Sequence, residues 1–103
     1  KMNREKVLDL IMSALENLRD MTDEDLGEFN KDTCLFGADA TLDSLSLVSV
    51  IVDVETDLII ESGVSIALTD DRALSQEISP FDTVTTLMNY IVFLLEESNA
   101  LSE

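Results

Sequence analysis

Leu8, Ile11, Leu15 and Leu18 recur at spacings of 3, 4 and 3, and Val7, Ala14 and Met21 widen the stripe. That is the period of an amphipathic helix, predicted here from about Arg4 to Arg19. Asn3 is placed to cap it, and Glu5 lies where the helix dipole favours an anion. From Thr22 to Thr41 the periodicity is lost. Acids and small residues dominate, with Leu26, Phe29, Leu35 and Phe36 scattered among them. So long a stretch without an element is unusual in a small domain. Its apolar residues predict an ordered crossover packed onto the helices rather than a Gly/Ser linker.

A second helix opens at Asp43 or Ser44, either of which can cap free amides, and runs to about Leu58 or Ile60. Leu47, Val50, Ile51, Val54 and Leu58 form one apolar stripe; Leu45, Val48, Val52 and Ile59 form another. The β-branched residues would also suit a strand, but strict alternation is missing and no turn comes before Glu61-Ser62-Gly63. A helix apolar on two faces needs a second partner, because a small bundle cannot bury it all round.

Val64 to Leu68 alternates briefly. Thr69-Asp70-Asp71-Arg72 then reads as a cap and a short helix to about Gln76. In Ser79-Pro80-Phe81-Asp82, Ser falls at an N-cap, Pro at the first helical position and an acid at the third. Phe81, Val84, Met88, Ile91 and Leu95 continue that helix to about Glu97, with Leu87, Tyr90 and Leu94 broadening its face. Residues 1–3 and 98–103 are expected to fray. The fold class predicted is all-α, a small four-helix bundle of three longer helices and one short one in a single domain, with a long ordered crossover after the first helix.

Charge and composition narrow the function. The 103 residues include 22 acids and 6 bases, a formal charge of -16, with no histidine and one cysteine. Such a charge repels nucleic acid and anionic membranes, so neither is an expected partner. Without histidine, Ser-His and Cys-His catalysis and most zinc sites are excluded. Cys34 alone permits no internal disulfide; beside Leu35 and Phe36 it reads as a small hydrophobe. No membrane span or secretory signal is seen, so the expected setting is the cytoplasm. Disorder is excluded by 46% apolar content at helical spacing. No glycine stands at position 6 of a calcium loop with oxygen ligands at 1, 3 and 5. A weaker divalent site is conceivable where Asp53, Asp57 and Glu61 repeat at i, i+4 and i+8.

Ser44 is the residue singled out. It stands at a helix start in Leu42-Asp43-Ser44-Leu45. A helix N-terminus suits a phosphate ester, the crossover before it leaves the hydroxyl exposed, and the helix behind it has an apolar surplus. The plainer reading of the same serine is an ordinary N-cap.

Leu35-Phe36-Gly37, then Leu42-Asp43-Ser44-Leu45 with Val48 and Glu55 downstream, resembles the acyl carrier protein family. The resemblance covers residues 4–97 in motif, acidity and helix order. It implies a bundle of acyl-carrier type. It implies a 4'-phosphopantetheine arm on Ser44, flanked by the motif neighbours Asp43 and Leu45 and attached from coenzyme A by a separate phosphopantetheinyl transferase. The arm would carry an acyl or aminoacyl thioester between enzymes of fatty-acid, polyketide or related specialised biosynthesis, in a monomer with no catalysis of its own. Leu45, Val50, Val54, Leu58 and Ile66 would then wall the acyl chain. Ser46, Val48, Ser49, Val52, Asp53 and Glu55 would face loading and processing enzymes that dock through basic surfaces. The alternative is an unmodified acidic protein–protein adaptor with a carrier-like fold.

The chain departs from the family pattern. Ser46 and Ser49 stand where acids are usual, Asp53 stands where a small apolar residue is more common, and Val64 to Pro80 is longer than in typical fatty-acid carriers. These departures point to a specialised carrier.

Overall fold

The computed structural model describes residues 2–102, with four helices and no strand among them. Helix α1 spans Arg4–Met21, one turn's fraction beyond the expected end. Asn3 caps it, its Oδ1 accepting the Lys6 amide at 2.8 Å, and Val7, Ile11, Ala14, Leu15 and Leu18 form its buried face. Helix α2 spans Ser44–Ser62 and ends on Gly63 at φ 73°, a left-handed geometry that glycine adopts without a Cβ penalty. Helix α3 is the single turn Asp71–Leu74, shorter than expected, capped by Asp70 through the Ala73 amide at 3.1 Å. Helix α4 spans Val84–Glu97.

The start of α4 corrects the sequence reading. Ser79 is not its cap. Ser79 Oγ accepts the Phe81 amide at 3.1 Å, and its carbonyl accepts the Asp82 amide at 3.3 Å, so Ser79 to Asp82 is a turn. Thr83 caps α4 in a reciprocal box. Thr83 Oγ1 accepts the Thr86 amide at 3.2 Å, and Thr86 Oγ1 accepts the Thr83 amide at 2.9 Å. The crossover decides the register. Its Thr33 carbonyl accepts the Val84 amide at 3.1 Å and its Lys31 carbonyl the Thr85 amide at 3.0 Å. Two amides that a helix start leaves unpaired are thereby satisfied from a distant segment.

The same contacts make the crossover ordered, as its apolar residues predicted. Cys34 bridges Thr83 in antiparallel fashion, and Leu35 donates its amide to Asp82 at 2.9 Å. Phe29, Leu35 and Leu42 are buried in the common core. Arg19 fastens the crossover's beginning: its guanidinium donates to the Gly27 carbonyl and lies 4.5 Å from the Phe29 ring centroid.

The ends also correct an expectation. Met2 is 1% exposed and bridges Leu101. Ser102 donates its amide at 2.7 Å and its hydroxyl at 2.9 Å to the Met2 carbonyl. Burying a methionine side chain is worth about 1.5–3 kcal/mol, which offsets part of the cost of ordering the two ends. Lys1 and Glu103, also expected to fray, lie outside the described residues.

Helix α1 packs against both α2 and α4. The long connection from α2 to α4 contributes Ile66, Leu68 and Ala73 to the same core. It is tied to each helix by a carboxylate. Glu55 of α2 accepts the Leu68 amide at 2.7 Å, and Glu97 of α4 pairs with Arg72 at 2.6 Å. The radius of gyration is 13.0 Å, which matches the roughly 13 Å of a folded chain this long. No described helix is long and apolar enough to cross a membrane.

Candidate functional site

The N-terminus of α2 resolves the choice between Asp43 and Ser44. Asp43 is the cap: its backbone is extended, and its Oδ1 accepts the Ser46 amide at 2.7 Å. Its carbonyl accepts the Leu47 amide at 2.9 Å. The Ser46 amide, and secondarily the Ser46 side chain, hold the Asp43 carboxyl below its ordinary range. An anion at this end also matches the helix dipole.

Ser44 is therefore the first helical residue and not the cap. It is exposed, and among the described residues nothing hydrogen-bonds its hydroxyl. A serine with no structural duty stands at the head of a helix. Phe36 in the crossover and Leu45 next in the chain are 54% and 81% exposed. The site thus presents a free alcohol next to one exposed apolar side chain, Leu45, on the protein surface.

The five residues expected to wall an acyl chain divide. Val50, Val54 and Leu58 are at most 1% exposed and Ile66 is 6% exposed, all within the core. Leu45 projects into solvent and walls nothing in this conformation. Ile66 lines a shallow cleft of about 260 Å³ together with Asp70, Arg72, Leu94 and Glu97.

The second apolar stripe of α2 is real and uncovered. Leu45, Val48, Val52 and Ile59 are 81%, 53%, 52% and 45% exposed. Ser49 is exposed on α2, while Ser46 and Asp53 are half-buried. Glu55 is also half-buried and committed, since its carboxylate holds the Leu68 amide. That bond makes Glu55 a strut between α2 and the following connection, a duty no local sequence signal announces.

The divalent site is a correction. No three acidic or thiol side chains gather to hold an ion among the described residues. Helical rise explains it. Asp53 and Glu61 are a little over two turns apart, roughly 12 Å along the axis, beyond what metal–oxygen bonds of about 2.3–2.6 Å bridge. Cys34 is half-buried and donates weakly to the Asp32 carbonyl at 4.0 Å.

The sequence places Tyr90 on the broadened apolar face of the last helix and, with no histidine present, among the few groups that could do chemistry. It is 6% exposed, and its hydroxyl is buried with no hydrogen-bond partner. Burial foremost, with the nearby Asp70 charge, raises its pKa. An unpaired buried hydroxyl costs about 1–3 kcal/mol.

Set against known proteins, the chain matches no family model, no curated protein and no solved structure.

Proposed function

We propose that the protein is a carrier whose Ser44 hydroxyl receives a phosphopantetheine arm. The observation that carries this reading is the division of labour at the head of α2. Asp43 performs the capping, which leaves Ser44 exposed, unbonded and preceded by an acid in Leu42-Asp43-Ser44-Leu45. The residues fit the group. A phosphodiester at this position would project outward from the helix start, with no core residue to displace.

In the modification, Ser44 Oγ attacks the pantetheine-side phosphorus of coenzyme A. An Oγ–P bond forms, the pyrophosphate bond breaks, and the hydroxyl proton and adenosine 3',5'-bisphosphate leave. The modifying enzyme supplies the base and Mg²⁺, consistent with a chain that has no histidine. Once attached, the arm supplies a thiol that bears acyl groups as thioesters. The chain's own contribution is positional: α2 holds the attachment point rigidly, and its uncovered stripe of Leu45, Val48, Val52 and Ile59 offers apolar contact to partner enzymes. With Ser46 and Ser49 in place of acids, that contact relies less on charge than the total of -16 suggests.

The uncovered stripe also suits the second reading, an adaptor that is never modified. One experiment separates them. The protein is incubated with coenzyme A and a promiscuous phosphopantetheinyl transferase, and its intact mass is measured. The carrier reading expects a gain of one phosphopantetheine that disappears in Ser44→Ala. No gain, or a gain that survives the substitution, rejects it.

A further inference from the structure

The connection from α2 to α4 is anchored at two points. At Leu68 the side chain is fully buried and the amide donates to Glu55 at 2.7 Å. At Pro80, also buried, the carbonyl accepts the Thr86 hydroxyl at 3.1 Å. Between the anchors, residues 69–78 place a single residue, Ala73, in the core, while Leu74 and Ile78 stand in water. Helix α3, within this segment, is one turn, too short to hold its shape alone. A segment with so little buried apolar surface belongs to the low-stability end of a fold.

Arg72 fastens the segment to α4. Its guanidinium donates to Glu97 at 2.6 Å and lies 5.2 Å from the Phe93 ring centroid. Clefts run along the same seam. Asp70 and Arg72 share one of about 260 Å³ with Leu94 and Glu97, and Gln76 and Ile78 share one of about 220 Å³ with Asn89 and Tyr90. We propose that residues 69–78 form a flap, hinged at Leu68 and Pro80 and latched by Arg72 to Glu97 and Phe93, that opens away from α4 as a unit while the rest of the fold stays closed.

The relative strength of the ties decides which one yields. The side chains of Arg72 and Glu97 are 47% and 42% exposed, so their pair is weak and screened by salt. Glu55 is half-buried, and its bond to the Leu68 amide is charge-assisted and less screened. The latch therefore yields before the hinge. Tyr90 adds a bias toward opening. Its hydroxyl is buried without a partner, and the charges on Asp70 and Arg72 act on its phenol, which places it near the seam. Water that enters as the flap lifts gives that hydroxyl the partner it lacks in the closed state. The flap draws on α2 only through the Glu55 anchor and does not rest on the carrier reading.

The test follows the full chain by hydrogen exchange and by acrylamide quenching of Tyr90, the single tyrosine of a chain without tryptophan. Arg72→Ala should speed exchange at the Ala73 and Ser75 amides by roughly two- to fivefold relative to the Leu68 amide and those of α1, the worth of one exposed ion pair. It should also raise the quenching constant of Tyr90. Glu77→Ala, which removes an exposed flap acid outside the latch, should do neither. The unsubstituted protein in about 1 M NaCl, where the screening length falls to about 3 Å, should change in the same direction as Arg72→Ala. Exchange at Ala73 and Ser75 that neither the substitution nor the salt speeds relative to Leu68 overturns the proposal. So does exchange that rises equally at Leu68 and across α1, because the whole fold then loosens rather than the flap.

Discussion

Asp43 accepts the Ser46 amide at 2.7 Å, and that bond is what frees the serine between them. Two adjacent residues could each have capped α2, and had Ser44 done so its hydroxyl would be committed to the backbone. Asp43→Asn preserves an equally good cap, whereas Asp43→Ala leaves the Ser46 amide without its acceptor. The melting temperature should drop by a few degrees in Asp43→Ala and hardly at all in Asp43→Asn, with faster amide exchange at residues 44–46 only in the alanine variant.

The same bond sets a pH dependence. The Asp43 carboxyl is held low by the Ser46 amide, and the Glu97 carboxyl is held low by the Arg72 hydrogen bond. A carboxyl depressed on folding contributes stability above its unfolded pKa and loses it as pH falls through the folded value. Thermal stability should therefore be flat near neutrality and decline below the ordinary carboxylate range. Asp43→Asn should make that decline shallower; an unchanged acid limb in thermal melts would show that the bond is not formed in solution.

Ser44→Ala should be silent in stability. The side chain is exposed and carries no hydrogen bond, and such surface substitutions change stability by within about 0.5 kcal/mol. Urea unfolding of the two proteins should superimpose. A loss well beyond that figure would mean the hydroxyl has a structural duty, and would weaken its assignment as an attachment point.

Helices, crossover and candidate serine were legible because each is encoded locally or by period. Leu8, Ile11, Leu15 and Leu18 trace one face of α1 directly, and Gly63 punctuates the end of α2. What was not legible depends on distant partners. Ser79-Pro80 is a stronger local start signal than Thr83, yet the crossover carbonyls of Lys31 and Thr33 draw the α4 start to Val84. The burial of Met2 against Leu101, and the capture of Glu55 by the Leu68 amide, likewise come from tertiary pairing that no window of sequence contains. For the wall residues, the carrier resemblance grouped Leu45 with Val54 and Leu58, whereas the helical period had already set them on different stripes, and burial follows the period.

That separation is measurable. Leu58→Ala removes a fully buried side chain from the core and should cost about 2–5 kcal/mol, as buried leucines do. Leu45→Ala, at 81% exposure, should cost within about 0.5 kcal/mol. If the two changes destabilise equally in urea unfolding, Leu45 is packed in solution and belongs to a wall rather than to the exposed stripe.

The last prediction concerns the excess charge. At -16 the folded chain repels itself, and added salt should raise its melting temperature by screening. Asp53, Asp57 and Glu61 do not converge on one point, and no described acidic cluster does. A divalent ion then acts on the whole field of the protein rather than at a site. Mg²⁺ and NaCl at matched ionic strength should give nearly the same gain in thermal melts, and neutralising the three acids together as amides should lower the salt sensitivity without abolishing it. A gain specific to Mg²⁺ that vanishes in the triple variant would instead show that two or more of these carboxylates swing together around an ion, at the expense of their helical spacing.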